Sequence, residues 1–207
     1  MSRSNYVYHA ILFIMHIIAG LGNPGKEYEG TRHNTGRVVL EYFRKKNDFP
    51  DWRADKKTRA LVSEGKIGKE KVMLIMPEAF MNNSGKSLAP LIKNKKAAEN
   101  LTVIYDDLDL PVGSIKISFD RGSGGHKGME SIIRALKTRA FIRIRVGISP
   151  ATPSGKLKKP HGEKAVIDFI LKKFSPKEQE ALKKVSKKAG EAVVSIVTDG
   201  RERAMGN

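Results

Sequence analysis

One histidine and two asparagines lie in polar segments of the kind that carry chemistry in enzymes. Asn23 and His33 belong to GLGNPGKEYEGTRHNTG, residues 20–36, which follows an apolar run, and Asn82 belongs to MPEAFMNNSGKSL. Imidazole is the side chain whose ordinary pKa lies nearest neutrality, so His33 is the best candidate for a general base. The alternative is that His33 is a solvated loop side chain.

Asp106 is the candidate partner of this histidine. It lies in LTVIYDDLDLP, a predicted strand that runs into an acidic turn containing Asp107 and Asp109. A carboxylate bonded to the far ring nitrogen would fix the tautomer of His33 and stabilise the imidazolium that forms during proton transfer.

The two asparagines offer both a donor and an acceptor. Asn23 and Asn82 can therefore hold a water and a substrate carbonyl, and can stabilise an oxyanion without competing for protons. Each also has a local alternative, since Asn23 precedes a proline in a turn and Asn82 or Asn83 could cap a helix.

A glycine-rich loop, RGSGGHKG at residues 121–128, leads into a predicted helix. Backbone N–H groups at such a helix start favour an anion or a carbonyl oxygen, and the glycines let a ligand approach closely. Lys127 adds a positive charge. The spacing is neither that of a Walker loop nor that of a dinucleotide fingerprint, and a plain turn is the alternative.

Several reaction classes are not expected. The chain has no cysteine, which excludes disulfides, iron–sulfur clusters and thiolate zinc sites. Its five histidines show no HExxH spacing, and there is no G-x-S-x-G elbow, so neither a metal nor a serine nucleophile is expected. What remains is direct attack by an activated water on an ester, without a cofactor.

The elements that must position these residues alternate between strands and helices. The patterns predict strands at 14–21, 58–67, 70–76, 101–111, 113–120 and 141–148, and helices at 34–48, after residue 78, at 129–136 and in two segments beyond a lysine-rich linker at 151–160. This order predicts a single three-layer α/β/α domain with a mixed, mostly parallel sheet. In such sheets, ligand sites gather beyond the carboxyl ends of the strands, where the candidate loops fall. The strand FIRIRVGI alternates apolar residues with arginine, which predicts one buried and one cationic face.

The net charge of +17 is unevenly distributed. Residues 131–188 contain 16 Lys and Arg against four acidic residues, Glu163, Asp168, Glu178 and Glu180. Such a surface favours a polyanion, most commonly RNA or DNA, and the alternative is a solvated face.

The first residues also need an interpretation. YHAILFIMHIIAGLG is too short for a membrane-spanning helix, and cleavage as a secretory signal would remove the first strand. We therefore expect Met15 to be the native start, residues 1–14 to be a non-functional extension, residues 15–207 to form the domain, and the protein to be cytoplasmic.

Four motifs together resemble the bacterial peptidyl-tRNA hydrolases. They are IIAGLGNPGKEYEGTRHNTG, MPEAFMNNSGKSL, DDLDLPVGSIKI and GSGGHKGMESIIRAL, and the resemblance extends from about residue 15 to the C-terminus, including DFILKKFSPKE. It implies a monomeric α/β enzyme that cleaves the ester between a peptide and the 3′ end of tRNA, and so recycles tRNA from abandoned translation.

The resemblance also assigns residues. It implies that His33 is the catalytic base, Asp106 its support, and Asn23 and Asn82 the asparagines that position the substrate. Substrate and tRNA contacts are expected at Tyr28, Phe80, Met81, Asn82, Gly125, Lys127, Lys116 and Arg145.

Two positions depart from the family pattern. Lys127 stands where the family has a third asparagine, and lysine can donate but cannot accept a hydrogen bond. Ser118 replaces a basic residue, for which Arg121 lies near enough to compensate. The helix at 163–174 is expected to edge the cleft, with Phe169 and Phe174 on its buried side.

Two other functions stay open at this point. One is a non-enzymatic RNA-binding relative, because this fold also occurs in a plastid intron-splicing factor. The other is a hydrolase of small carboxylic esters, against which the charge and the absence of a nucleophile argue.

Overall fold

The computed structural model describes residues 15–206, so the expected extension at residues 1–14 lies outside the described part of the chain. Seven strands form one sheet in the order β2-β3-β4-β1-β5-β7-β6. They are β1 (Met15–Gly20), β2 (Arg53–Asp55), β3 (Ala60–Ile67), β4 (Glu70–Pro77), β5 (Leu101–Pro111), β6 (Ile115–Phe119) and β7 (Ile142–Ser149). The four central strands are parallel, and β2, β3 and β6 are antiparallel to their neighbours. The carboxyl ends of the central strands therefore share one edge.

Helices cover both faces of the sheet. They are α1 (Thr35–Lys46), α2 (Ser84–Leu88), α3 (Lys95–Ala98), α4 (Lys127–Leu136), α5 (Glu163–Ile170), α6 (Pro176–Asp199) and α7 (Arg201–Met205). Short 3-10 turns at Lys26–Tyr28, Arg32–Asn34 and Met81–Asn83 connect them to the strands. No helix in residues 15–206 is both long enough and apolar enough to cross a membrane.

Two apolar cores separate the layers. On one face, Phe43 of α1 and Val185 of α6 pack with Ile104 and Ile144 of the sheet. On the other face, Leu88 of α2 and Met129 of α4 pack with further sheet residues. The α4 side chains follow the predicted i, i+3, i+4, i+7 pattern, with Met129 and Ile132 fully buried. The predicted three-layer α/β/α fold is confirmed.

Three local predictions are corrected. The last turn of the helix expected at 163–174 does not form, because α5 ends at Ile170 and Lys173 pairs with Thr31 in an isolated bridge. Neither Asn82 nor Asn83 caps α2 with its side chain, because the chain enters α2 through a 3-10 turn in which the Ser84 hydroxyl donates to the Met81 carbonyl. Asp107 and Asp109 lie within β5 rather than in a turn.

Strand β7 is not the half-exposed strand that its alternating pattern predicted. It lies between β5 and β6, and seven of its eight residues are buried. Arg143 is 0% exposed and donates from its guanidinium to the carbonyls of Arg121 and Gly122. The second face of β7 is cationic as predicted, but it is largely covered: Arg143 anchors the start of the glycine-rich loop, and the half-buried Arg145 lines the cleft of the candidate active site.

Candidate active site

The predicted histidine and aspartate meet at the carboxyl edge of the sheet. His33 lies in the 3-10 turn between β1 and α1, and Asp106 lies in β5 beside β1. His33 Nδ1 is 3.1 Å from both carboxylate oxygens of Asp106, and both side chains are buried. Gly36 permits this approach, since a Cβ there would clash with the backbone of Ile104 and Leu21.

The surroundings shift the pKa of both groups. Burial by itself lowers the pKa of His33, but the charge of Asp106 and the hydrogen bond to it raise that pKa, and the net shift is upward from 6.5. Burial raises the pKa of Asp106, but the charges of His33 and His126 and the hydrogen bonds to them lower that pKa by more. The net shift is downward, so this carboxyl remains ionised at neutral pH. His33 Nε2, with Nδ1 committed to Asp106, is the nitrogen that can accept a proton.

A second histidine, which the sequence analysis did not assign to the site, completes a triad. His126 Nε2 is 3.1 Å from Asp106 Oδ1. Its Nδ1 lies 3.1 Å from the amide nitrogen of Gly128 and 3.3 Å from that of Met129, and thereby caps α4. An atom that accepts from two N–H groups carries no proton, so the neutral imidazole must hold its hydrogen on Nε2 and donate it to Asp106. The position of His126 at the start of a predicted helix was the available signal.

The triad is also the candidate metal position among the described residues. The three residues each offer one ligand atom, and these atoms, from His33, Asp106 and His126, lie within 4.8 Å of one another. In the arrangement present, the two imidazoles are hydrogen-bonded to the carboxylate, and His126 Nδ1 faces backbone amides.

Asn23 is held by hydrogen bonds to Met81 and to Asn34, the residue that follows His33. Its Oδ1 accepts from the Met81 amide at 2.8 Å, which leaves Nδ2 as the group that can donate to a substrate. The side chain of Asn34 bonds both the N–H and the carbonyl of Asn23, at 2.8 and 2.9 Å. Asn34 was missed because its partner is eleven residues away and only the fold reveals its role.

Met81 joins the asparagines to the triad. A Cβ on Gly128 would lie 2.5 Å from Met81 Sδ and 3.1 Å from His126 Cε1, so the side chains of Met81 and His126 approach each other across this glycine. Met81 is buried, whereas the adjacent Asn82 is exposed and accepts from the Asn83 side chain at 3.2 Å. Phe80 is 58% exposed, and its ring lies edge-on to Tyr28 with centroids 6.3 Å apart.

A cleft of about 940 Å³ opens beside the triad. The predicted site residues that line it are His33, Asp106, Gly125, Lys127 and Arg145. Tyr28, Phe80, Lys116, Asn23, Met81 and Asn82 do not line this cleft. The exposed Lys116 is paired in register with Arg145 across β6 and β7.

The cleft has a cationic wall and an apolar wall. Arg145 donates from Nε to Asp107 at 2.5 Å, while Lys127 is exposed and 3.8 Å from Glu130. Arg121, the expected substitute for a lysine at position 118, lies on the same wall. The apolar wall comprises Val166, Ile167 and Ile170 of α5, as expected for the helix that edges the cleft. Of the two phenylalanines, Phe174 is buried and Phe169 is half-buried.

Comparison with known proteins identifies the family to which this chain belongs. The family model described as peptidyl-tRNA hydrolase matches residues 17–207. The chain belongs to the peptidyl-tRNA hydrolase family. The peptidyl-tRNA hydrolase of Thermoanaerobacter sp. (strain X514) is 42% identical over 192 residues, which covers 92% of this chain and 97% of the relative. That of Aquifex aeolicus is 37% identical over 194 residues, covering 91% and 93%.

Solved structures of the peptidyl-tRNA hydrolase family agree with the fold. A crystal structure of the enzyme from Acinetobacter baumannii superposes with a TM-score of 0.80 at 30% identity and covers 94% of both chains. A crystal structure of a peptidyl-tRNA hydrolase in complex with N-propanol has a TM-score of 0.81 at 30% identity and covers 93% of both.

Proposed function

We propose that this chain hydrolyses the ester between the peptide and the 3′ end of tRNA in peptidyl-tRNA, with His33 as the general base. The observation that carries the proposal is the buried hydrogen bond between His33 Nδ1 and Asp106. The His33 side chain that makes this bond also lines an open cleft. Family membership supplies the reaction, and this bond supplies its base.

The reaction needs no group beyond these side chains and water. A water gives a proton to His33 Nε2 as its oxygen attacks the ester carbonyl, and a tetrahedral oxyanion forms. The oxyanion collapses as the bond to the ribose oxygen breaks, and that oxygen takes the proton from the imidazolium. The products are a peptide with a free carboxyl group and a tRNA with a free 3′ end.

Asparagine side chains are suited to stabilise the oxyanion. Asn23 presents Nδ2 because its Oδ1 is occupied by the Met81 amide, and its position is fixed by Asn34. One such preorganised donor typically contributes about 3 kcal/mol to transition-state stabilisation. Asn82 is exposed in the 3-10 turn that begins at Met81, and in this proposal its amide positions the peptide or the attacking water.

The surroundings of the site suit the substrate. The exposed ring of Phe80, edge-on to the half-buried ring of Tyr28, offers a face on which an unpaired base of the CCA end can stack. Lys116, Arg121 and Arg145 can contact phosphates, and Gly125 and Lys127 border the cleft at the ester. We further propose that the enzyme acts as a monomer in the cytoplasm, where peptidyl-tRNA is made.

A hydrolysis assay on matched substrates tests this function. Release of tRNA is measured from N-acetyl-aminoacyl-tRNA and from the same aminoacyl-tRNA without the blocking group. Rapid release from the blocked substrate alone is expected. If the protein binds tRNA but releases none from the blocked substrate, the non-enzymatic RNA-binding function replaces this proposal.

A further inference from the structure

A second hollow lies outside the candidate active site, and half of its eight lining residues are cations. It has a volume of about 490 Å³ and lies at the far end of α4. Its four cationic residues are all exposed, and they are Lys95, Arg134, Lys137 and Arg139. The lining includes one acidic residue, Asp120, which lies 3.4 Å from Arg139. Within residues 15–206, the other three cations have no ion-pair partner.

The backbone at Lys137 does not favour lysine. Lys137 ends α4 with φ 53° and ψ 30°, a left-handed conformation in which glycine is preferred. A lysine here costs conformational energy and contributes a positive charge at the mouth of the hollow. The backbone conformation therefore does not explain a lysine at position 137, whereas a role for its positive charge does.

Two parts of the chain connect the hollow to the cleft. Helix α4 begins at Lys127, which lines the cleft, and ends beside Lys137, which lines the hollow. Its ten residues span about 15 Å, which corresponds to roughly four to five base pairs of a nucleic-acid duplex. At the other boundary, Asp120 lines the hollow and its neighbour Arg121 lines the cleft.

We propose that this hollow binds backbone phosphates in the double-stranded stem of the tRNA whose 3′ end occupies the cleft. This inference rests on the proposed function. Exposed, flexible cations without a buried polar partner suit contacts with phosphates, which give affinity and orientation without reading bases. The hollow therefore contributes to tRNA binding and not to the chemical step.

Two matched double variants test the hollow. R134Q/K137Q removes two charges from it, and K183Q/K184Q removes two charges from exposed positions of α6 on the opposite face of the sheet. For R134Q/K137Q, Kd for tRNA and KM for N-acetyl-aminoacyl-tRNA should rise about tenfold at low salt, and the slope of log affinity against log salt should fall by about two. Neither kcat nor the hydrolysis of an N-acetyl-aminoacyl CCA trinucleotide should change, and K183Q/K184Q should stay within about twofold of the wild type.

K137G separates a binding role from a structural one. Glycine relieves the left-handed conformation, so Tm should rise by about 2 °C while KM for the tRNA substrate rises about threefold. The inference is overturned if R134Q/K137Q leaves Kd unchanged, if K183Q/K184Q weakens binding equally, or if the trinucleotide substrate is affected as strongly. Failure of the proposed function is distinguishable, because it would abolish hydrolysis in the wild type and leave the Kd comparison readable.

Discussion

At the scale of single residues, hydrogen bonds assign each nitrogen of the triad. His126 must donate from Nε2 because its Nδ1 accepts from two amides, and His33 is left with Nε2 as its basic atom. Asp106 thus receives a bond from each of two imidazoles. The arrangement holds the carboxylate ionised and fixes the direction in which His33 faces.

The pH dependence of the reaction follows from the pKa of His33. Because that pKa is raised above 6.5, the neutral imidazole that acts as a base forms only at higher pH. The acid limb of kcat/KM should therefore have its midpoint above 6.5. In D106N, the group that raises the pKa is gone, so the midpoint should move to lower pH while the plateau rate falls. An unchanged midpoint in D106N would contradict the pairing.

The two nitrogens of His126 can be tested separately. In H126N, the amide oxygen can still cap α4, but the donor to Asp106 is lost, so Tm should be kept while kcat falls about tenfold. In H126Q, the longer amide can still donate to Asp106 but cannot cap, so kcat should be largely kept while stability falls by about 1 kcal/mol. Equal loss of rate and of stability in both variants would make His126 a packing residue only.

The pair of His33 and Asp106 was predictable from the sequence, but the third residue of the triad was not. His33 and Asp106 were predicted from residue chemistry and loop position, and their side chains lie 3.1 Å apart. His126 was read only as part of a glycine-rich loop, because nothing in the sequence shows that it lies against Asp106. The limitation is physical, since a contact between loops depends on strand order, which residue types alone do not specify.

At the scale of elements, the wall of the cleft depends on one buried arginine. Helix α5 has no buried residue, and Arg32 fixes its end to the rest of the domain. The guanidinium donates to the carbonyls of Lys172 and Lys173 and to Glu178, and it lies 4.5 Å from the ring centroid of Phe169. Arg32, which directly precedes His33, therefore links the α5–α6 connection to the turn that carries His33.

R32K should loosen this wall without altering the base. Lysine keeps the charge but cannot reproduce several planar bonds at once, so KM should rise about threefold to tenfold with kcat little changed. R44K is a matched control, because Arg44 also joins backbone carbonyls, carboxylates and an aromatic ring, but near Trp52. Both variants should lower Tm. A rise in KM for R44K as large as that for R32K would refute a specific role of Arg32.

Element positions were predictable to different degrees. The predicted strand at 101–111 matches β5, because a buried strand with flanking polar residues has a clear pattern. The apolar and cationic faces of β7 were predicted, but the burial of Arg143 was not, because alternation does not reveal what covers the cationic face. Strand β2 was missed, being only three residues long with two of them exposed.

At the scale of the whole molecule, the charge of +17 points to the polyanionic part of the substrate. Composition predicted a polyanionic partner, and the alternation of strands and helices predicted the three-layer fold, since it leaves few other architectures. Composition did not predict where the cations lie. In the structure, some of them line the cleft, among them Arg121 and Arg145, and four others line the hollow at the end of α4.

The salt dependence of KM for the tRNA substrate should show whether Arg145 contacts a phosphate. R145A should raise KM for the tRNA substrate and reduce the slope against log salt by about one, because one released counterion is lost. The kcat for an N-acetyl-aminoacyl CCA trinucleotide should change little. If that small substrate is affected equally, the ion pair of Arg145 with Asp107 is structural and the phosphate contact is rejected.

The most direct measurement is the single-turnover rate of His33→Ala on saturating N-acetyl-aminoacyl-tRNA, with Kd for tRNA measured in parallel. Loss of the base should slow release of tRNA by about 10²- to 10⁴-fold while Kd stays near that of the wild type. A variant that binds tRNA normally and releases it at the wild-type rate would contradict the account.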